Sequence, residues 1–161
     1  MTRGFVGVGS NVGNRKDFCR RAVALLESTP GVEVTRVSNL YETTPVGGPP
    51  QRSFVNLVVE INCDLAPREL LEACHGVEER LGREPSEIRW GPRVADLDVL
   101  LLGDQKVNEA DLEIPHPRMA QRRFVLAPLL ELDPDLEDPW GSRYADWLDE
   151  AEGEVERLEP F

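Results

Sequence analysis

Residues 54–63, FVNLVVEINC, place Val55, Leu57, Val59 and Ile61 in an unbroken apolar row at a period of two, the pattern of a strand with one buried face. That row forces Phe54 and Asn56 onto the opposite face. Residues 95–102 repeat the logic: Leu97, Val99 and Leu101 form a core row and turn Asp96 and Asp98 the other way. At 4–10, Val6 and Val8 face the core and leave Gly7 and Gly9 opposite, where no side chain blocks an approach. Three strands, each read alone, therefore gather their unusual residues on one surface.

The other elements follow from caps and periodicity. Asn14 caps a helix over about 15–28, with Asp17 in its first turn and Phe18, Ala22, Leu25 and Leu26 as its buried stripe. A strand is expected over 32–42, then a long glycine- and proline-rich loop at 43–53. Pro67 opens a second helix whose apolar positions are Leu70, Leu71, Cys74, Val77 and Leu81, and Gly82 stops it. The order β-α-β-β-α-β predicts an α+β fold, an antiparallel sheet with both helices on one face. Beyond residue 103 the pattern predicts an extended piece (LEIPHP), a helix near 119–131 and a final helix around Tyr144, Trp147 and Leu148. The 161 residues fit one domain, with 131–161 as an acidic C-terminal extension.

Charge is uneven along the chain. Of the net −12, residues 131–161 carry −10, while segment 114–130 has no acidic residue. This balance argues against nucleic acid, leaves room for a small polyanion bound locally, and gives the tail a solubilising role. No apolar run reaches 18 residues and no signal peptide is evident, so no membrane partner is expected. Three cysteines without a CxxC pair argue against a zinc site and a disulfide framework and suit a reducing cytoplasm.

Asp96 and Asp98 on one strand face lie roughly 6.5–7 Å apart. Two carboxylates so placed can hold magnesium ions that complete their shells with water and substrate phosphates. Taken alone, an Asp-x-Asp pair is more often solvated surface, but arginines surround this one: Arg83, Arg89 and Arg93 before it, Arg118, Arg122 and Arg123 after it. Arginine grips phosphate through a planar fork. GVGSNVGN lacks GK[ST], so phosphate binding must rest on metal and arginine. His116 stands between two prolines, where a structural role and a phosphate contact are equally open. His75 reads as ordinary surface. Phe54 on a non-core face suits a planar ligand stacked on it, with Asn56 bonding the ligand's polar edge. Trp90 and Phe124 are further stacking candidates, or core.

These residues resemble the 6-hydroxymethyl-7,8-dihydropterin pyrophosphokinases of folate biosynthesis. The resemblance rests on GVGSNVGNR, YETTPVGGPPQRSFVNLVVEI, RWGPR two residues before DLD, and PHPRM followed by RFVLAPL, over about residues 4–132. It implies a ferredoxin-like fold and transfer of pyrophosphate from ATP to the pterin hydroxymethyl oxygen, with release of AMP. It further implies that Asp96 and Asp98 hold two Mg2+ ions, that Arg83 and Arg93 close over the phosphates, and that His116 and Arg122 contact the triphosphate from the other side. Thr43, Pro45, Val46, Phe54, Asn56, Trp90 and Phe124 match pterin-pocket positions, with Phe54 and Phe124 as the stacking pair. Pro85, Phe54 and Pro117 depart from some members of the family, and none of them touches the metal pair. A monomer with a single activity is expected. The competing readings are a non-catalytic small-molecule module on the same scaffold, and a kinase that transfers only the γ-phosphate and releases ADP.

Overall fold

The computed structural model describes residues 1–44, 52–82 and 95–161. Its centre is β1 (Thr2–Ser10), which pairs antiparallel with β4 (Phe54–Cys63) on one side and β5 (Asp96–Leu102) on the other. Along the far edge of β4 lie β2 (Val32–Val37) and β3 (Leu40–Thr43), and β8 (Val155–Glu159) pairs outside β3. A separate hairpin joins β6 (Val107–Glu109) to β7 (Leu112–Ile114).

Helices α1 (Arg15–Glu27) and α2 (Pro67–Arg80) cover one face of the sheet. Asn14 Oδ1 accepts the Asp17 N–H at 3.1 Å, the expected cap. Glu69 reaches back to the Ala66 N–H at 2.9 Å, and Gly82 ends the second helix at φ +96°. The core beneath holds Val6, Val8, Val55, Leu57, Val59, Ile61, Leu97 and Val99, as expected from period two. Leu101, expected in the same row, instead joins the core on the other face, and Leu102 takes its place, beyond a register shift between Phe5 and Val6. The β-α-β-β-α-β order and the antiparallel sheet are those of a ferredoxin-like α+β fold.

Three further features differ from the sequence expectation. The strand expected over 32–42 breaks in two, because the Ser38 Oγ accepts the Val58 N–H at 2.9 Å in place of a main-chain carbonyl. The Asn39 N–H then turns to Glu131, which binds it through both carboxylate oxygens. The helix expected near 119–131 is a 3-10 turn (Met119–Gln121) followed, after an extended Arg122, by α3 (Arg123–Leu132). The final helix is a 3-10 segment (Tyr144–Glu150), and the tail beyond it returns to the sheet as β8.

The C-terminal part also closes much of the second face. Phe5, Val58 and Leu100 pack there against Met119, Val125, Leu126, Leu129 and Tyr144 as a second core. Among the described residues, the strand ends that carry Gly9, Asn56 and Asp96 lie outside it. Each of the three central strands changes character along this face: Phe5 gives way to Gly7 and Gly9, Val58 to Asn56, and Leu100 to Asp98 and Asp96. The register aligns these changes, pairing Gly9 with both Asn56 and Asp96, and Gly7 with Asp98.

Leu100 is fully buried at the boundary between the second core and the open end. Leu100→Ala should cost about 2–5 kcal/mol, as truncations that leave a core cavity do. Urea denaturation checks this, and an unchanged midpoint would contradict the packing described.

Candidate active site

The open end of the sheet has an amide and an aromatic side, and an anionic side. On the first, Asn56 Nδ2 donates to Thr43 Oγ1 at 2.6 Å, between two buried residues. The bond fixes the amide, with the nitrogen toward Thr43 and Oδ1 toward Gly9. A Cβ built on Gly9 would lie 2.4 Å from that oxygen and 3.6 Å from the Phe54 ring. Glycine is therefore required at position 9 to admit Asn56, rather than to leave open space. Gly7 has less latitude than its lack of a side chain suggests, since Leu100 covers it at 3.6 Å from the same construction.

On the anionic side, Asp96 and Asp98 are half-buried, two residues apart on β5. Across from them stand His116 and Arg122. The His116 N–H donates to the Leu100 carbonyl at 2.9 Å, which ties the PHP segment to the strand that carries the aspartates. Its Nδ1 accepts the Arg118 N–H at 3.2 Å, so Nε2 carries the proton. Burial, with help from Arg122, lowers the His116 pKa to about 4 against the opposing pull of Asp96. His116 is thus a neutral N–H donor at pH 7. Burial also lowers the Arg122 pKa, opposed by Asp98 and Asp96. The Arg122 guanidinium lies 5.5 Å above the Phe124 ring, where cation–π attraction holds it.

Beside the outer edge of β5 a cleft of about 370 Å³ lies between α2, the β6–β7 hairpin and the PHP segment. Leu71, His75, Glu78, Asp111 and Pro117 line it with Asp96, Asp98 and His116. Sequence reasoning missed the helix side of this cleft and read His75 as plain surface. Leu71, His75 and Glu78 fall at i, i+4 and i+7 on α2, so helical periodicity could have grouped them. Glu78 is buried and accepts the Leu97 N–H at 2.8 Å, which anchors β5 between its two aspartates.

The structure thus brings together Asp96, Asp98, His116 and Arg122 on one side, and Thr43, Phe54 and Asn56 on the other, with Phe124 beneath Arg122. Pro45, Val46, Arg83, Pro85, Trp90 and Arg93 lie outside the described residues. Among the described residues no group of three or more His, Cys, Asp or Glu converges as a complete metal cage. Two carboxylates on one strand face fit magnesium, which is commonly held by one or two carboxylates plus water and substrate phosphate. Among the described residues no helix is long and apolar enough to cross a membrane.

Known proteins are similar to this chain in sequence and in fold. The family model for 7,8-dihydro-6-hydroxymethylpterin-pyrophosphokinase matches residues 5–134. The 2-amino-4-hydroxy-6-hydroxymethyldihydropteridine pyrophosphokinase of Bacillus subtilis is 50% identical over 128 residues, covering 80% of this chain and 76% of the relative. The protein of the same name from Pseudomonas aeruginosa is 39% identical over 159 residues, 98% of both chains. A crystal structure of Plasmodium falciparum HPPK-DHPS with pteroate shares the fold at TM-score 0.72 and 12% identity, over 92% of this chain and 42% of that one. The present chain thus spans about two-fifths of that bifunctional protein. With most of its length matched by the family model, the chain belongs to the 7,8-dihydro-6-hydroxymethylpterin-pyrophosphokinase family.

Proposed function

We propose that the chain transfers pyrophosphate from ATP to the hydroxymethyl oxygen of 6-hydroxymethyl-7,8-dihydropterin at the open end of this sheet. The observation that carries the reading is the aligned change on three neighbouring strands, which sets Asp96 and Asp98 across Gly7 and Gly9 from Val58 and Asn56. In the reaction the hydroxyl oxygen bonds to the β-phosphorus of ATP, the bond from that phosphorus to the α–β bridging oxygen breaks, and AMP leaves. Such transfers depend on positioning and charge neutralisation.

Each side chain has a part in that positioning. The polar edge of the pterin meets the Asn56 amide, whose orientation Thr43 fixes, and the ring stacks on Phe54 with Phe124 as its second face. Pro45, Val46 and Trp90 complete this pocket by resemblance. Arg122 and the Nε2–H of His116 donate to triphosphate oxygens, and the resemblance gives Arg83 and Arg93 a part in closing over the phosphates. The cleft beside β5 receives the nucleoside. Asp96 and Asp98 are the residues that would hold two magnesium ions. When bound, these would neutralise triphosphate charge and lower the pKa of the attacking hydroxyl.

Residues 1–161 act as one catalytic domain, tail included, and as a monomer. The three cysteines are free and buried, and burial raises the Cys19 pKa to about 12. Thiols so protected suit residence in a reducing cytoplasm.

The test is a product assay with ATP, magnesium and the pterin, separating AMP from ADP. Pterin-dependent AMP is expected, falling by roughly a hundred- to a thousandfold in Asp98→Ala, on the scale of losing a key electrostatic contact. ADP as the product, or full activity in Asp98→Ala, would overturn the reading.

Gly9→Ala should weaken pterin binding by about tenfold, because the new methyl displaces the Asn56 oxygen. Calorimetry with the pterin and a non-hydrolysable ATP analogue measures it, and unchanged affinity would remove Asn56 from the pocket.

His116 gives a pH signature in stability. Its pKa falls from 6.5 to about 4 on folding, so between those values the unfolded chain binds the extra proton. Its contribution is complete above about pH 6.5 and fades toward pH 4. The stability gap between wild type and His116→Asn should therefore narrow from pH 7 to pH 4.5, read from urea midpoints. A constant gap would show that His116 is not buried in its neutral form.

A further inference from the structure

Arg122 is a single extended residue, at φ −117° and ψ 112°, between the 3-10 turn and α3. Nothing in MAQRRFVLAPLLEL favours a break there, and the sequence pattern predicts one helix through it. The break has a partner thirty residues later. The Glu152 N–H donates to the Gln121 carbonyl at 2.8 Å, and the Glu152 carbonyl accepts the Arg123 N–H at 3.0 Å. These two bonds clasp Arg122 from both flanks as a parallel bridge. The extended backbone directs the Arg122 side chain at Asp96 and Asp98, whose charges reach it.

The clasp itself is held by the neighbouring arginine. Arg123 Nη1 donates to the Gly153 carbonyl at 3.1 Å, and Nη2 to the Leu148 carbonyl at 3.3 Å. The same nitrogen also reaches the Asp149 carbonyl at 3.5 Å. Leu148 and Asp149 end a 3-10 helix, where a cation is favoured by the exposed carbonyls. Two adjacent arginines of one basic cluster thus have opposite tasks. One faces the carboxylates, and the other gathers the tail.

We infer that Arg123 is a positioning residue for the transfer reaction, acting through the main chain of Glu152 to hold Arg122 extended toward the triphosphate site. The inference rests on the assignment of Arg122 to the triphosphate. It also gives the tail beyond residue 134, which the family model does not cover, a part in the chemistry. The Thr44 N–H donates to the Glu154 carbonyl at 3.2 Å and Thr43 pairs with Val155, so the same segment pins the end of β3 beside Asn56.

The test is steady-state kinetics in ATP at saturating pterin for wild type, Arg122→Ala, Arg123→Ala, Arg123→Lys, Glu152→Pro and the double variant Arg122→Ala/Arg123→Ala, each with a thermal melt. Glu152→Pro deletes one N–H donor, and Ala151 already has the extended backbone that precedes a proline. Arg123→Ala and Glu152→Pro should each raise the KM for ATP about tenfold with a much smaller change in kcat. Arg123→Lys, which keeps the charge but loses the fork, should fall between wild type and Arg123→Ala. In the Arg122→Ala background, Arg123→Ala should add nothing to the KM, because it acts through the missing side chain.

Wild-type KM in both Arg123→Ala and Glu152→Pro, with Arg122→Ala impaired, would overturn this inference alone. A KM loss that adds fully in the double variant would do the same, leaving Arg123 a merely structural role. Wild-type ATP kinetics in Arg122→Ala would instead overturn the triphosphate assignment and the inference with it. If Arg123→Ala fails to fold, Glu152→Pro carries the same comparison.

Discussion

Strand β1 runs between β4 and β5 with its main chain paired on both sides, and the register of that double pairing sets what the open end of the sheet can present. Side chains alternate at a period of two, so a slip of one residue would send Gly7 and Gly9 into the core and Val6 and Val8 to the surface. The apolar rows of all three strands resist that slip, because each must stay under α1 and α2. The functional residues are thus placed by hydrophobic burial on the other side of the sheet. Asp96 and Asp98 face outward because Leu97 and Val99 face inward.

The same arrangement suits the proposed binding of a polyanion by an acidic protein. Asp96 and Asp98 meet Arg122 and a neutral His116, while many of the remaining charges are tied in pairs with one another. Arg3 bonds Glu60 and Asp133, Arg68 bonds Glu109 and Asp111, and Lys16 and Arg20 both meet Glu159. Exposed pairs of this kind add little stability. Their effect here is to hold parts together: Glu159 fastens β8 to α1, and Arg68 fastens the hairpin to α2. The cleft beside β5 keeps its wall through the second of these.

Local pattern revealed most of the sheet and half of the site. Phe54, Asn56, Asp96 and Asp98 were legible because a strand's alternation needs only its own residues, and the caps at Asn14 and Gly82 are equally local. What escaped notice depends on partners far away in sequence. The break at Ser38 needs Val58 and Glu131, and the break at Arg122 needs Glu152. Strand β8, VERLE, carries too weak an alternation to stand out from an acidic tail, and it is a strand because β3 offers it an edge. Gly9 is legible as a glycine with a purpose, but that purpose, room for Asn56 Oδ1, depends on a side chain of another strand.

The position of β1 also bears on how the molecule comes into being. Of the three central strands, the one made first is the one that needs partners on both sides, and β4 and β5 are made about fifty and ninety residues later. Arg122 follows later still, and the residue that shapes it, Glu152, comes thirty residues after that. Pairings so distant in sequence fold slowly, since loop closure must precede the contacts that reward it. Synthesis therefore supplies the three central strands of the scaffold before Glu152, the residue whose main chain holds Arg122 extended.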